Sequence, residues 1–250
     1  MVKQKSKTKQ KTSKSKKPVL KRICRFLAKC LMWFFIISIG LVIVDRFVPI
    51  YYTPLMFIRV VEQLADGKSP KLEHKWVPIE KISKNMSDAA IASEDNMFME
   101  HHGFDFKGIE KAFMHNLRRK RIHGGSTISQ QTAKNVFLFP DRSYFRKVVE
   151  AYFTALIELC WSKERIMEVY LNVIEMGDGI YGIEEASQIY FHKPASELSK
   201  SEASLIAVCL PNPRKYNPAH PSPFIQSRKI DNLHTMAQIG HIDLSGGKKK

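Results

Sequence analysis

RKVVEAYFTALIELC, residues 146–160, decides the fold class. At about 100° per residue, Val148, Val149, Tyr152, Phe153, Leu156 and Leu159 fall within about 140° of one face. A strand would repeat every second residue instead, so the run is an amphipathic helix. Arg146 and Glu150, four apart, share a face at the border of that stripe. Taken alone they form either a surface ion pair worth roughly 0.3–0.5 kcal/mol or part of a site.

Outward from this helix the sequence keeps a helical grammar. Ser87–Phe98 reads as a short helix, and Phe106–Arg118 as another, with Ile109, Phe113 and Leu117 on one face. Thr127 and Gln130 form a Thr-x-x-Gln capping box that opens a helix. Ser162 can cap residues 163–172. Ser199-x-x-Glu202 is a second capping box, and Pro211 ends the helix that follows. Five prolines between Pro211 and Pro223 make an ordered wrap, and a last helix is expected over residues 224–239. The fold class is mainly α, with little strand pattern and no internal repeat.

The chain has 250 residues and a formal charge of +16, unevenly spread. Residues 1–29 hold twelve Lys and Arg and no acid; the remaining 28 Lys and Arg face 24 acids, a surplus of 4. The basic tail has no apolar face and reads as disordered. Residues 30–44, CLMWFFIISIGLVIV, carry no charge, and with 23–29, whose Arg25 and Lys29 can snorkel, they make about 33 Å of helix. That length spans a bilayer. No small-x-small cleavage site follows, so an uncleaved anchor is expected over a signal peptide. The flanking charge places the N-terminus in the cytoplasm and the body on the far side of the membrane. Nucleic acid is then excluded as a partner, because the basic charge lies on the other side of the anchor from the folded body. Residues 49–66 are apolar at helical spacing through Leu55, Phe57, Ile58, Val61 and Leu64, either as core or as a membrane-proximal surface. The expected organisation is a basic cytoplasmic tail 1–22, a transmembrane anchor 23–44, a membrane-proximal segment 45–66, a folded domain 67–240 and a flexible tail 241–250. The four cysteines form no C-x-x-C and indicate neither zinc nor a disulfide framework.

Chemistry concentrates in IASEDNMFMEHHGFD, residues 91–105. His101 and His102 are adjacent and not at the i, i+4 spacing of two ligands on one helix face, which disfavours a transition-metal site. Gly124-Gly125 leads into the capped helix at Thr127, a natural place for an anion, with Lys134 two turns on. Gly177 and Gly179 mark a tight turn.

Taken together, these stretches resemble the peptidoglycan glycosyltransferases, the polymerase modules of bifunctional penicillin-binding proteins and their monofunctional relatives. Glu94-Asp95-x-x-Phe98-x-x-His101-x-Gly103-x-Asp105 is similar to the first signature, and residues 124–131, GGSTISQQ, to the second. Arg146-Lys147-x-x-Glu150 matches the third and Lys163-x-x-Ile166-x-x-x-Tyr170-Leu171-Asn172 the fourth. Arg228-Lys229-x-x-Asn232-Leu233-x-x-Met236 approximates the fifth, with Lys229 and Asn232 as departures. The resemblance covers residues 50–240, and with no room for a transpeptidase it points to the monofunctional form.

The resemblance implies a lysozyme-like, two-lobed fold that polymerises lipid II into β-1,4-linked strands with inversion and release of undecaprenyl pyrophosphate. It implies Glu94 as general base and Glu150 as second essential carboxylate. Lys134, Arg142 and Arg146, with the helix start at Ser126–Thr127, would bind the pyrophosphate. Gln130 and Gln131 would line or support the cleft; Asp95, Phe98, His101, Lys163 and Asn172 would support it. Whether Glu150 orients the cations or holds a divalent ion is left open. No cofactor is certain; Mg or Mn with the pyrophosphate is the one candidate. Expected partners are lipid II, the growing glycan strand, the membrane and other cell-wall synthesis or division proteins. The alternative is a lysozyme-like lytic transglycosylase or hydrolase. Its neutral leaving group would not need the cation set.

Overall fold

The computed structural model describes residues 17–106, 108, 125–141 and 143–246. The helix expected at 106–118 lies outside them apart from Phe106 and Gly108, as do Gly124, Arg142, residues 1–16 of the basic tail and the last four residues.

The described chain is mainly helical. In order it runs α1 (Lys17–Asp45), α2 (Pro54–Ala65), β1 (Glu73–His74), α3 (Lys84–Glu94), α4 (Ile128–Phe137), α5 (Tyr144–Cys160) and α6 (Lys163–Val173). Then come β2 (Glu175–Gly177), β3 (Ile180–Tyr181), α7 (Ile183–Phe191), α8 (Lys200–Cys209) and α9 (Pro223–Ile239). The chain divides into two compact units, residues 1–41 and Val42–Lys250. Within α1, Lys21–Asp45 is long and apolar enough to cross a membrane, with a mean hydropathy of 2.4 over its most apolar window.

Capping fixes where the body's helices begin. Thr127 Oγ1 accepts from the Gln130 amide while Gln130 Oε1 accepts from the Thr127 amide at 3.0 Å, completing the capping box of α4. Ser199 and Glu202 do the same for α8, and Ser143, Ser162 and Ser222 cap α5, α6 and α9. Helix α3 runs over Lys84–Glu94, against the expected 87–98. It stops because Asp95 leaves helical geometry (φ −161°) and commits its carboxylate to other partners.

The strands make one small sheet with β3 in the middle, parallel to β1 and antiparallel to β2. Gly179 turns the β2–β3 hairpin at φ +70°, where a Cβ would stand 2.5 Å from the Lys71 carbonyl oxygen. In the body, α3 packs with α8 and α9, and α4 packs with α5 and α6. Asn232, the departure in the last signature, is buried in α9 and donates to the Ala89 carbonyl of α3 at 3.1 Å.

The α5 stripe faces the core only in part: Phe153 is buried and Val149, Tyr152 and Leu156 pack against the core, but Val148 and Leu159 do not. Val148 is 68% and Leu159 83% exposed, while the buried face carries Glu150, Phe153, Thr154 and Ile157. Periodicity reports a face kept from water, not the neighbour that covers it. Helix α2 is similar: Phe57, Val61 and Leu64 point outward, while Met56 and Gln63 are buried.

Candidate active site

Glu94 is the last residue of α3 and Gln131 lies in the first turn of α4. Gln131 Nε2 donates to Glu94 Oε2 at 2.9 Å, and Ser93 Oγ donates to Glu94 Oε1 at 3.4 Å. Burial pushes the Glu94 carboxyl above its ordinary range, against the pull of those two bonds and of the Arg228 and Lys134 charges.

Asp95 points the other way. Its carboxylate accepts from His101 Nε2 at 2.9 Å and from the Ile128 amide at 3.0 Å. His101 Nδ1 accepts from the Gly103 amide at 3.0 Å, which fixes Nε2 as the protonated nitrogen. The anion at the start of α4 is therefore the protein's own Asp95. At this helix start, expected to receive a pyrophosphate, the Thr127, Ile128 and Gln130 amides are bonded within the protein. Thr127 and Gln130 are buried in the cap, and Ser126 is exposed, 3.5 Å from Lys147 Nζ.

Gln131, Lys134 and Asn135 share one face of α4 and line a cleft of about 410 Å³. Arg146 of α5 lines it too, with Arg59 and Leu55 of α2 and Ile174 and Glu175 at the start of β2. Arg146 Nη1 donates to Glu150 Oε2 at 2.5 Å, and Lys147 Nζ bonds Glu150 Oε1. Glu150 is 2% exposed, so its charge is neutralised locally. Lys134 is open to the cleft, yet the surrounding protein strips water from its ammonium and lowers its pKa. Arg146 and Lys147 push the same way, against Glu150 and Glu94.

Phe98 is fully buried with Lys163 Nζ 4.6 Å from its ring centroid, and Lys163 also donates to the His101 carbonyl at 2.7 Å. Asn172 does not itself line the cleft, although Ile174, two residues on, does. The Asn172 side chain accepts from the Val77 amide at 2.9 Å and donates to the Val77 and Glu168 carbonyls at 2.8 Å each, so it pins the chain before α3 to α6.

The structure thus brings Glu94, Gln131, Lys134, Arg146 and Glu150 together. Asp95, Phe98, His101 and Lys163 form the frame behind them. Sequence reasoning missed Glu158, Arg59, Glu175 and the Tyr170 hydroxyl. That hydroxyl is buried with no hydrogen-bond partner among the described residues, and burial and the fields of Glu94 and Asp95 hold it protonated. No local pattern marks these four; only their tertiary neighbours do. Among the described residues no three His, Cys, Asp or Glu side chains cluster as a metal site.

This arrangement offers a desolvated carboxylate base beside a cation cluster, the chemistry of a hydroxyl displacing an anionic leaving group. A family model described as Transglycosylase matches residues 60–237. A protein of Bacteroides thetaiotaomicron named biosynthetic peptidoglycan transglycosylase is 54% identical over 217 residues, 87% of this chain and 88% of the relative. Proteins of the same name from Bdellovibrio bacteriovorus (49% over 213 residues, 85% of each chain) and Pseudomonas syringae pv. syringae (47% over 222, 89% and 94%) are similar along the same length.

Proposed function

Because the chain belongs to the transglycosylase family and is a peptidoglycan glycosyltransferase of cell-wall synthesis, we propose that it polymerises lipid II, with the growing strand as donor. Glu94 takes the proton of the acceptor's 4-hydroxyl. The oxygen attacks the donor's anomeric carbon from the face opposite the pyrophosphate, giving a β-1,4 bond with inversion. The bond from that carbon to the pyrophosphate oxygen breaks, and undecaprenyl pyrophosphate leaves with the electron pair.

One observation carries this reading. Gln131, bound to Glu94, and Lys134, beside Arg146, stand one turn apart on the same face of α4. Base and cations are therefore spaced for the two ends of a single displacement. A positioned carboxylate contributes roughly 10²–10⁴-fold to activating a sugar hydroxyl. Lys134 and Arg146, with Arg142 by resemblance, stabilise the leaving oxygens as charge builds.

Glu150 has both oxygens bound to cationic side chains, which supports an orienting role for Arg146 and Lys147 over a metal-ligand role. The donor set does not fit a protein-held ion, and no step runs through one. Mg or Mn, if used, would accompany the pyrophosphate of the substrate.

The apolar α1 helix anchors the chain, with the N-terminus in the cytoplasm and the catalytic domain outside. The outward Phe57, Val61 and Leu64 of α2 and Val148 and Leu159 of α5 rest against lipid, which keeps the cleft at the level of its lipid-linked substrate. The test is incubation of the purified full chain with lipid II, with product sizing in the presence and absence of a chelator. Long glycan strands support the reading; shortening of preformed strands supports the hydrolase.

A further inference from the structure

Glu158 lies on α5, two turns beyond Glu150, and none of the roles above uses it. Its side chain is 6% exposed. Its Oε1 accepts from Lys163 Nζ of α6 at 2.8 Å and from Ser129 Oγ of α4. Gly103, at φ +87°, lies directly on its stem: a Cβ there would stand 3.0 Å from Glu158 Cγ.

Each contact leads toward the base. Lys163 holds the His101 carbonyl at 2.7 Å, His101 holds Asp95, and Asp95 follows Glu94 in sequence. Ser129 sits two residues before Gln131, whose amide bonds Glu94 at 2.9 Å. One buried carboxylate therefore fixes both sides of the frame, the turn from Asp95 to Gly103 and the first turn of α4.

We propose that Glu158 is a positioning residue of the reaction, holding Glu94 and Gln131 in register by clamping Ser129 and Lys163 together. It touches no substrate. This rests on the reading of Glu94 as the base. The groups facing Glu94 are Gln131 and Lys134 of α4, Ser93 of α3, Arg228 of α9 and Tyr170 of α6.

A purely structural role is the competing account, since a buried lysine without its carboxylate is costly wherever it sits. Glu158→Gln alone does not separate the two. The double variant Glu158→Gln/Lys163→Met removes both charges together, and Ser129→Ala cuts one arm without exposing a charge. The readouts are the thermal midpoint, kcat and KM on lipid II, and the acid limb of the pH–kcat profile. Loosening the Gln131–Glu94 bond removes an interaction that lowers the Glu94 pKa, so the limb moves to higher pH.

The expected result is a double variant with a thermal midpoint near that of the parent, kcat down about tenfold or more, KM little changed and the acid limb raised. Ser129→Ala shifts the limb in the same direction. Recovery of kcat in the double variant, or an unmoved limb in both it and Ser129→Ala, would overturn the proposal. Glu94→Gln, run in parallel, separates the failures: an active Glu94→Gln removes the base itself, whereas an inactive one beside an unaffected double variant removes only the role of Glu158.

Discussion

Gln131 Nε2 donates to Glu94 Oε2 at 2.9 Å, tying the end of α3 to the first turn of α4. The bond aims one carboxylate oxygen and moderates the rise that burial imposes on its pKa. Gln131→Ala should therefore raise the acid limb of the pH–kcat profile and lower kcat, with KM for lipid II less affected. A rate profile from pH 4 to 8 checks it; a limb that stays in place would detach Gln131 from the base.

The raised Glu94 pKa also has a stability consequence. The native state binds this proton more tightly than the unfolded chain, whose carboxyl titrates at its ordinary value of 4.5. The group's favourable contribution is present below that value and is lost as pH rises through the native pKa. At neutral pH its ionised form strains the fold. Glu94→Gln should be at least as stable as the parent at pH 7, with the difference shrinking toward pH 4. Thermal melts across that range read the sign directly.

On the cation side, Lys134→Ala should reduce kcat/KM on the order of 10²-fold by removing one stabiliser of the leaving oxygens. Its stability should change by only about 0.5 kcal/mol, as befits an exposed position. The lowered pKa of Lys134 predicts loss of activity on the alkaline side below the free-lysine range. Glu150→Gln behaves differently, because it deprives Arg146 and Lys147 of their common partner. Activity and thermal midpoint should fall together. Parallel kinetics and melts distinguish the two patterns.

Asn172 tests the division between frame and cleft. Asn172→Ala leaves the Val77 amide and carbonyl without partners and should cost on the order of 3 kcal/mol. The kcat per folded molecule should be little changed, since the side chain does not line the cleft and bonds only Val77 and Glu168. Denaturant titration with active-site counting measures both.

What was legible in the sequence was local. The capping boxes at Thr127–Gln130 and Ser199–Glu202 are visible because both partners stand three residues apart, and they form as read. The spacing of Arg146 and Glu150 likewise anticipated their ion pair. The end of α3 was not legible, because Asp95 leaves the helix for partners 6 and 33 residues away. Asn172 reads as a signature residue, yet its role depends on Val77, 95 residues earlier. The α5 stripe has the right period and packs through Val149, Tyr152, Phe153 and Leu156, yet Val148 and Leu159 look outward, since an apolar position carries no label for core or lipid. Glu158 sits among apolar residues at a spacing from Lys163, five residues on, that matches no helical pairing, and only the fold brings Ser129, 29 residues earlier, to it.

The most direct measurement is glycan synthesis by Glu94→Gln on purified lipid II, beside the parent chain and with products resolved by size. A loss of about 10²–10⁴-fold in polymerisation by a folded variant is predicted. Near-parental strand synthesis by that variant would contradict the assignment of Glu94 as the base.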